Sequence, residues 1–248
     1  MTWDAALLAL IGFGGAFVFG VTGFGVALVT IPLATQFVPL PFALAVFALM
    51  DLSCAASVGF ENPKNAVRAE WLRLVPTILV GTLIGVTLLV KLPRQAGLLL
   101  LGIFVLAFSA YNLYRQFRGE HHGTVSGRWA WLAGLAGGVT SSVFGAGGPP
   151  YVIYLSQRGL TKEQFRATLG LTTLSSISVR VVAFAVSGLY ADAKVWLAAL
   201  AVVPAALAAI WVARRVYRRI SRELLMRVIS VLLLFAGVSL VLRSLALG

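Results

Sequence analysis

Charge and cysteine are what this sequence has least of. Of 248 residues only 11% are charged, eight are acidic, two are histidine and one is cysteine, while 60% are hydrophobic. The lone thiol, Cys54, excludes an intrachain disulfide framework. His121 and His122 stand together in a polar stretch, so with one cysteine they cannot build a familiar metal site; no metal and no cofactor are expected. No Ser–His or Ser–Lys pair lies inside an apolar block. GAGG at 145–148 resembles part of a nucleotide-binding loop, but neither Lys-Ser/Thr nor a strand–helix context follows it. The chain therefore reads as a non-enzyme. The net charge of +12 could suggest nucleic acid. It is disfavoured because the basic residues sit in short loops between apolar segments. The opening MTWDAALLAL has no basic n-region and no A-x-A-like site follows, which speaks against a cleaved signal peptide.

Long apolar runs are abundant. Blocks occupy about 5–38, 42–60, 71–90, 95–117, 129–157, 164–187, 195–213 and 224–242. A soluble protein cannot hide that much apolar surface, so the expectation is an all-α polytopic membrane protein. The polar stretch RQFRGEHHGTVSGR at 115–128 divides the blocks four and four.

The two halves resemble each other. GVTGFGV (20–26) aligns with SVFGAGG (142–148), and LMDLSC (49–54) with LTTLSS (171–176), both at an offset of 122. At an offset of 128, VPTILVGTLIG (75–85) falls on VPAALAAIWVA (203–213), and LPR (92–94) on ISR (220–222). This predicts one transport domain over 1–248 made of repeat one (1–117), a polar linker (118–127) and repeat two (128–248).

Two blocks are interrupted. SVFGAGGPP at 142–150 puts three glycines and two prolines near the middle of an apolar run. Pro149 and Pro150 suit the first turn of a helix, and Gly159 suits its C-terminal stop. A helix over 149–158 is about 15 Å long, half of the ~30 Å hydrocarbon core. With the preceding piece over 128–143, which is also short, it can form a hairpin that enters and leaves the membrane on one side. The pieces 5–19 and 26–37 can do the same in the first half. Each repeat is then a re-entrant pair of half-helices plus three transmembrane helices. The alternative is eight plain transmembrane helices.

Loop charges separate the two. With eight spans, the basic residues divide almost evenly between the two sides. With re-entrant pairs, the loops at 61–73, 115–128, 158–166 and 214–227 share one side and carry fifteen basic residues, leaving Lys91, Arg94, Lys194 and Arg243 opposite. The positive-inside rule favours this arrangement, which makes the repeats inverted and puts both termini on the exterior or periplasmic side of a bacterial-type inner membrane.

Non-helical backbone at membrane depth is tolerated where it lines a cavity or is buried in protein. Half-helix N-termini offer free N–H groups and the positive dipole end to an anion. The expected site joins Thr22, Gly23, Phe24 and Gly25 with Ser141, Ser142, Gly145, Ala146, Gly147 and Gly148. Gly134, Gly137 and Gly138 read instead as helix-packing glycines. Inside the helices, Thr173, Ser176 and Arg180 share one face, and Asp51 occupies the position equivalent to Thr173. Arg180 could charge-balance an anion and Asp51 could couple transport to a proton, or the two could form a structural pair. The reading is a secondary transporter of small anions working by alternating access, with a co-transported proton or ion as the default and the oligomeric state left open. An anion channel is the alternative. An intramembrane enzyme, for which only Asp51 could serve as base, comes third.

GVTGFGV, FGAGGPP, LTTLSS, the VP-led third helices and the two-fold repeat together resemble the TauE/SafE family, also called the toluenesulfonate uptake permease family, over almost the whole chain. Pro32, well inside the second half-helix of the first repeat, departs from the pattern of the 145–150 tip. The resemblance implies transport of small sulfur-containing anions, such as sulfite, sulfonates or sulfoacetate-like compounds, or small carboxylates.

Overall fold

The computed structural model describes residues 2–22, 26–59, 63–118, 125–216 and 222–246. Among these the chain is all-helical: α1 (Thr2–Thr22), α2 (Val26–Ala34), α3 (Leu40–Gly59), α4 (Arg68–Lys91), α5 (Arg94–Arg118), α6 (Ala130–Phe144), α7 (Gly148–Ser156), α8 (Lys162–Val186), α9 (Ala193–Val216) and α10 (Arg222–Ala246). In lipid a helix satisfies its backbone internally, which is why apolar runs take this form. Segments of α3, α4, α5, α8 and α9 are long and apolar enough to cross a membrane, and α1 and α10 carry shorter apolar segments, Ala5–Val21 and Leu233–Ala246. The outer surface is apolar as well: Leu79, Leu83, Val186, Leu200, Phe235 and Leu242 are exposed. In water such a belt would drive aggregation, whereas in lipid it is solvated. Trp129, Trp131, Trp196 and Trp211 stand exposed near helix ends, where amphipathic rings meet the headgroups.

Helix boundaries recur along the chain. α1 ends at 22 and α6 at 144; α2 starts at 26 and α7 at 148; α3 starts at 40 and α8 at 162. α5 runs 94–118 and α10 222–246. The packing recurs too. α4 packs on α6 as α9 packs on α1, and α3 packs on α9 as α8 packs on α4, while α3–α8 and α5–α10 pair across the halves. Glycines set the closest approaches. A Cβ at Gly81 or Gly138 would collide with the facing backbone of α6 or α4, and one at Gly134 with Thr77 Oγ1. Residues 74–77 lie beside 134 and 85 beside 142, so α4 and α6 run parallel. α1 and α9 do likewise, Gly12 facing Val202 and Gly20 facing Ala213. α5 and α10 run antiparallel: Gly102 meets Val241, Leu106 meets Gly237, and Ser244 donates to the Gln95 carbonyl.

The second broken block is a hairpin whose two stems meet. The Val125 N–H donates to the Gln157 carbonyl (3.0 Å), so the chain enters α6 and leaves α7 at the same end of the bundle. Gly145, with φ +73°, supplies the left-handed C-cap that ends α6. Gly147 caps α7, and Pro149 and Pro150 sit in its first turn. α8 then starts on a capping box between Thr161 and Gln164. The stems are clamped to α4. Buried Glu70 accepts from the Tyr154 hydroxyl, from Arg158 (2.9 Å) and from Arg73 (2.7 Å), while Arg158 also donates to the Val125 carbonyl. The bond to Glu70 pushes the Arg158 guanidinium above its ordinary value.

The first hairpin differs. α1 is 21 residues long, about 31 Å, rather than a short half-helix. Gly14 and Gly15 lie inside it without ending it; at Gly15 the missing Cβ makes room for Thr30 and the Val26 carbonyl of α2. α2 keeps Pro32 inside its nine residues. Its end is held by Arg243, which donates to the Thr35 (2.9 Å) and Gln36 (3.1 Å) carbonyls.

Candidate functional site

Asp51 is the twelfth of the 20 residues of α3, and Thr173 and Ser176 lie near the middle of the 25-residue α8. The hairpin brings the tip 145–148 to the same depth. Between them is a cavity lined by Phe19, Val26, Ala27 and Leu28 from the first half, by Asp51, and by Ser141, Gly145, Ala146, Gly147, Gly148, Pro149, Tyr151, Thr173, Ser176 and Ile177. The space between its atoms is about 480 Å³, open mouth included.

Its one ionised pair is deeply buried. The Arg180 side chain is 1% exposed and that of Asp51 4%, and Arg180 Nη2 lies 2.7 Å from Asp51 Oδ2. Nη1 donates to the Ser141 carbonyl (2.9 Å), the last turn of α6, where unfilled carbonyls and the negative dipole end favour a cation. One guanidinium thus joins α3, α8 and the hairpin tip. Arg180 stands behind Asp51 rather than on the cavity wall. Asp51 Oδ1 and Thr173 Oγ1 are buried without a partner in the protein. The Ser176 hydroxyl is bonded to the Tyr151 hydroxyl (2.9 Å). Two donors complete the lining. A helix start leaves its first four N–H groups without intrahelical acceptors; in α7 two of those positions are prolines, so Gly147 and Gly148 retain theirs.

Of the residues expected from sequence, Ser141, Gly145, Ala146, Gly147, Gly148, Thr173 and Ser176 meet at the cavity with Asp51. Ser142 points elsewhere, donating to the Thr82 (3.2 Å) and Gly138 (3.1 Å) carbonyls at the α4 contact. Gly23, Phe24 and Gly25 lie outside the described residues, and for Thr22 only the backbone at the end of α1 is described. Gly147 contributes backbone to the wall, but its Cβ direction is filled by α6: the Gly137 carbonyl would be 2.8 Å away and Ser141 Cβ 2.9 Å. Its lack of a side chain lets the hairpin close as well as leaving room at the tip. Gly134, Gly137 and Gly138 are packing residues, with Thr77, Tyr151 and the α4 backbone against them. Tyr151, Phe19 and Ile177 carry no polar pattern that sequence reasoning could have singled out. Among the described residues no cluster of three or more metal-ligating side chains occurs.

An apolar-belted helical bundle with a largely apolar cavity at mid-depth, carrying a few polar groups, is the architecture of a membrane transport protein, and the comparisons with known proteins define the class: this is a membrane transporter, surrounded by lipid and handling a small substrate. The chain belongs to the family described as Sulfite exporter TauE/SafE, which it matches over residues 8–240. It is 26% identical over 172 residues to the probable inner membrane transporter protein TsaS of Comamonas testosteroni, an alignment covering 67% of this chain and 69% of that protein. No solved structure matches it.

Proposed function

We propose that the protein is a secondary transporter of small, sulfur-containing or carboxylate anions in a bacterial-type inner membrane, binding them at the cavity on the α7 N-terminus. The observation that carries this reading is the convergence at mid-depth of the Gly147 and Gly148 N–H groups, the unpartnered Thr173 hydroxyl and Ser141. These are donor-bearing residues around one half-open pocket, on the positive end of a helix dipole. The sulfur preference comes from the family, described as a sulfite exporter; the relative, described as a probable inner membrane transporter, supports transport alone.

The mechanism is alternating access by two inverted repeats. If the halves are equivalent, the pairs α5–α10 and α3–α8 each relate a helix to its own counterpart. A two-fold axis along the membrane normal would make such counterparts parallel; one in the membrane plane makes them antiparallel, as α5 and α10 are. The stems of the α6–α7 hairpin lie beside Arg73 and Arg158 and adjoin the polar linker. By the positive-inside rule this is the cytoplasmic end, with both termini outside.

Reconstituted protein tests the reading. Sulfite, sulfoacetate, methanesulfonate or acetate should show saturable flux accelerated by the same anion on the opposite side. Flux proportional to concentration without that acceleration would instead describe a channel. Single-cysteine labelling in a Cys54→Ser background checks the topology: labelling of the 118–127 linker from outside, with a cytoplasmic N-terminus, would sink the re-entrant arrangement.

A further inference from the structure

The lining poses a charge problem. The N–H donors at the α7 start suit an anion. Yet the lining residue that carries a formal charge is a carboxylate, Asp51, whose Oδ1 is buried and has no donor in the protein. Arg180 offers no surplus of positive charge. Its Nη2 is committed to Asp51 Oδ2 and its Nη1 to the Ser141 carbonyl; Nε is buried without a partner, and the residue stands outside the lining. The remaining titratable groups near the carboxylate are neutral in the ordinary pH range. Tyr151 on α7 is engaged with Ser176, Cys54 is buried on Asp51's own helix, and Tyr190 follows α8. Among the described lining residues, those from α2 and α6 carry no ionisable side chain. The site's formal side-chain charge is therefore zero, and the lining carboxylate keeps one oxygen, Oδ1, without a donor.

An anion placed against Oδ1 would set two acceptors face to face, at a depth where such a contact is screened little. Adding one proton removes the conflict. The carboxylic acid becomes a donor aimed into the cavity, Arg180 is left as net charge +1, and an anion restores neutrality. We propose that the cavity binds its anion together with one proton, held on Asp51 Oδ1 and donated in a hydrogen bond to the ligand. The balance is Asp51-COO⁻ + H⁺ + A⁻ giving Asp51-COOH···A⁻; no bond within the ligand is made or broken. Carrying both across the membrane makes the step an electroneutral anion–proton symport. The proposal rests on the anion reading above and adds the stoichiometry and the residue that supplies it.

Calorimetry on the purified full chain tests it with methanesulfonate, whose sulfonate stays deprotonated throughout, so that any proton taken up must reside on the protein. Titrations at about pH 8 in buffers of different ionisation enthalpy should give one proton absorbed per ligand bound, and affinity should fall about tenfold per pH unit above that. In Asp51→Asn the amide keeps a donor while losing the titration, so uptake should fall to zero and the pH dependence should flatten. Should Asp51→Asn prove too unstable to purify, the wild-type slope and proton count decide alone. Methanesulfonate binding with no proton uptake and a flat pH profile overturns the proposal and leaves the anion reading standing. Full uptake persisting in Asp51→Asn overturns the assignment to Asp51. Failure of methanesulfonate, sulfite and acetate all to bind overturns the anion reading and this proposal with it.

Discussion

Removing Arg180 should cost far more stability than removing any surface charge on this protein. In Arg180→Ala the buried Asp51 carboxylate loses the donor to Oδ2, with Oδ1 already without one, and the Ser141 carbonyl loses its donor as well. Breaking a buried pair from one side costs about 3–5 kcal/mol, because a charge is left without compensation. In a chain of this size each kcal/mol shifts the midpoint by about 2–4 °C, so a fall on the order of 10 °C is expected. The assay is thermal unfolding of the detergent-solubilised protein without substrate. Asp51→Asn combined with Arg180→Ala leaves no buried charge and should recover most of that loss, giving a coupling of about 2–3 kcal/mol in the double-mutant cycle. Arg180→Lys should fall between, since one ammonium lacks the planar fork that reaches Asp51 and Ser141 together. A midpoint for Arg180→Ala within about 2 °C of wild type, or a double variant as unstable as the sum of the singles, would refute the argument. Substrate-induced shifts in the same variants report separately whether Arg180 contributes to binding.

Thr173→Val should have opposite effects on stability and binding. Removing a buried hydroxyl without a partner leaves the substrate-free protein as stable or up to about 1–3 kcal/mol more stable, while losing a hydrogen bond to a charged ligand weakens anion affinity about tenfold or more. Calorimetry and unfolding on one preparation read both, and a parallel loss would place the hydroxyl in the fold instead of the site. Gly134→Leu should block assembly of the bundle, because the added side chain meets Thr77 and the Leu74 carbonyl of α4. A monodisperse Gly134→Leu protein with a wild-type melting profile would contradict that contact. Glu70→Gln should loosen the hairpin stem, since Arg158, Arg73 and Tyr154 all depend on that carboxylate. Faster backbone hydrogen exchange at 153–158 than in wild type is the expected readout.

How far the sequence carried this structure can be followed residue by residue. The broken block at 142–150 was legible because punctuation survives divergence: Gly145, Pro149 and Pro150 mark a helix end and a helix start whatever surrounds them. The offset of 122 that aligns the Gly-rich breaks also relates the ends of α1 and α6 and the starts of α3 and α8. The length of α1 was not legible. The Gly-rich run at 20–25 predicts a first helix over 5–19, yet α1 runs on to Thr22, and glycine inside an apolar helix can serve an approaching neighbour, as Gly15 does for α2 and Gly20 for α9. Ser141 and Ser142 were assigned together to the tip, but adjacent helical residues point about 100° apart, so only one could face the cavity. Asp51 and Arg180 were visible as two costly charges, and a structural pair was among the readings. Their partnership across 129 residues is a tertiary fact that helical periodicity does not encode. Glu70 passed unnoticed for a similar reason: an acid in the first turn of a helix is ordinary, and only the fold brings Tyr154 and Arg158 onto it.

The fixed contacts also constrain how the cavity could change its exposure. The α6–α7 hairpin is held at its stem by Glu70 and along α6 by backbone packing on α4, and its tip is tied through Ser141 to Arg180. α1 is packed against α9 through Gly12 and Gly20, and α2 is anchored at its end by Arg243. Each hairpin is therefore bound to a long helix of the opposite half, and the two assemblies meet at α3 and α8. Relative movement is cheapest where side chains interdigitate loosely and dearest where glycine lets backbones touch, so α4 should travel with α6 and α9 with α1. The Asp51–Arg180 pair lies in the layer between. A proton arriving on Asp51 would weaken the ionic contact that bridges α3 and α8 among the described residues, at the same moment that it prepares the cavity for an anion. Binding and loosening would then draw on a single titration.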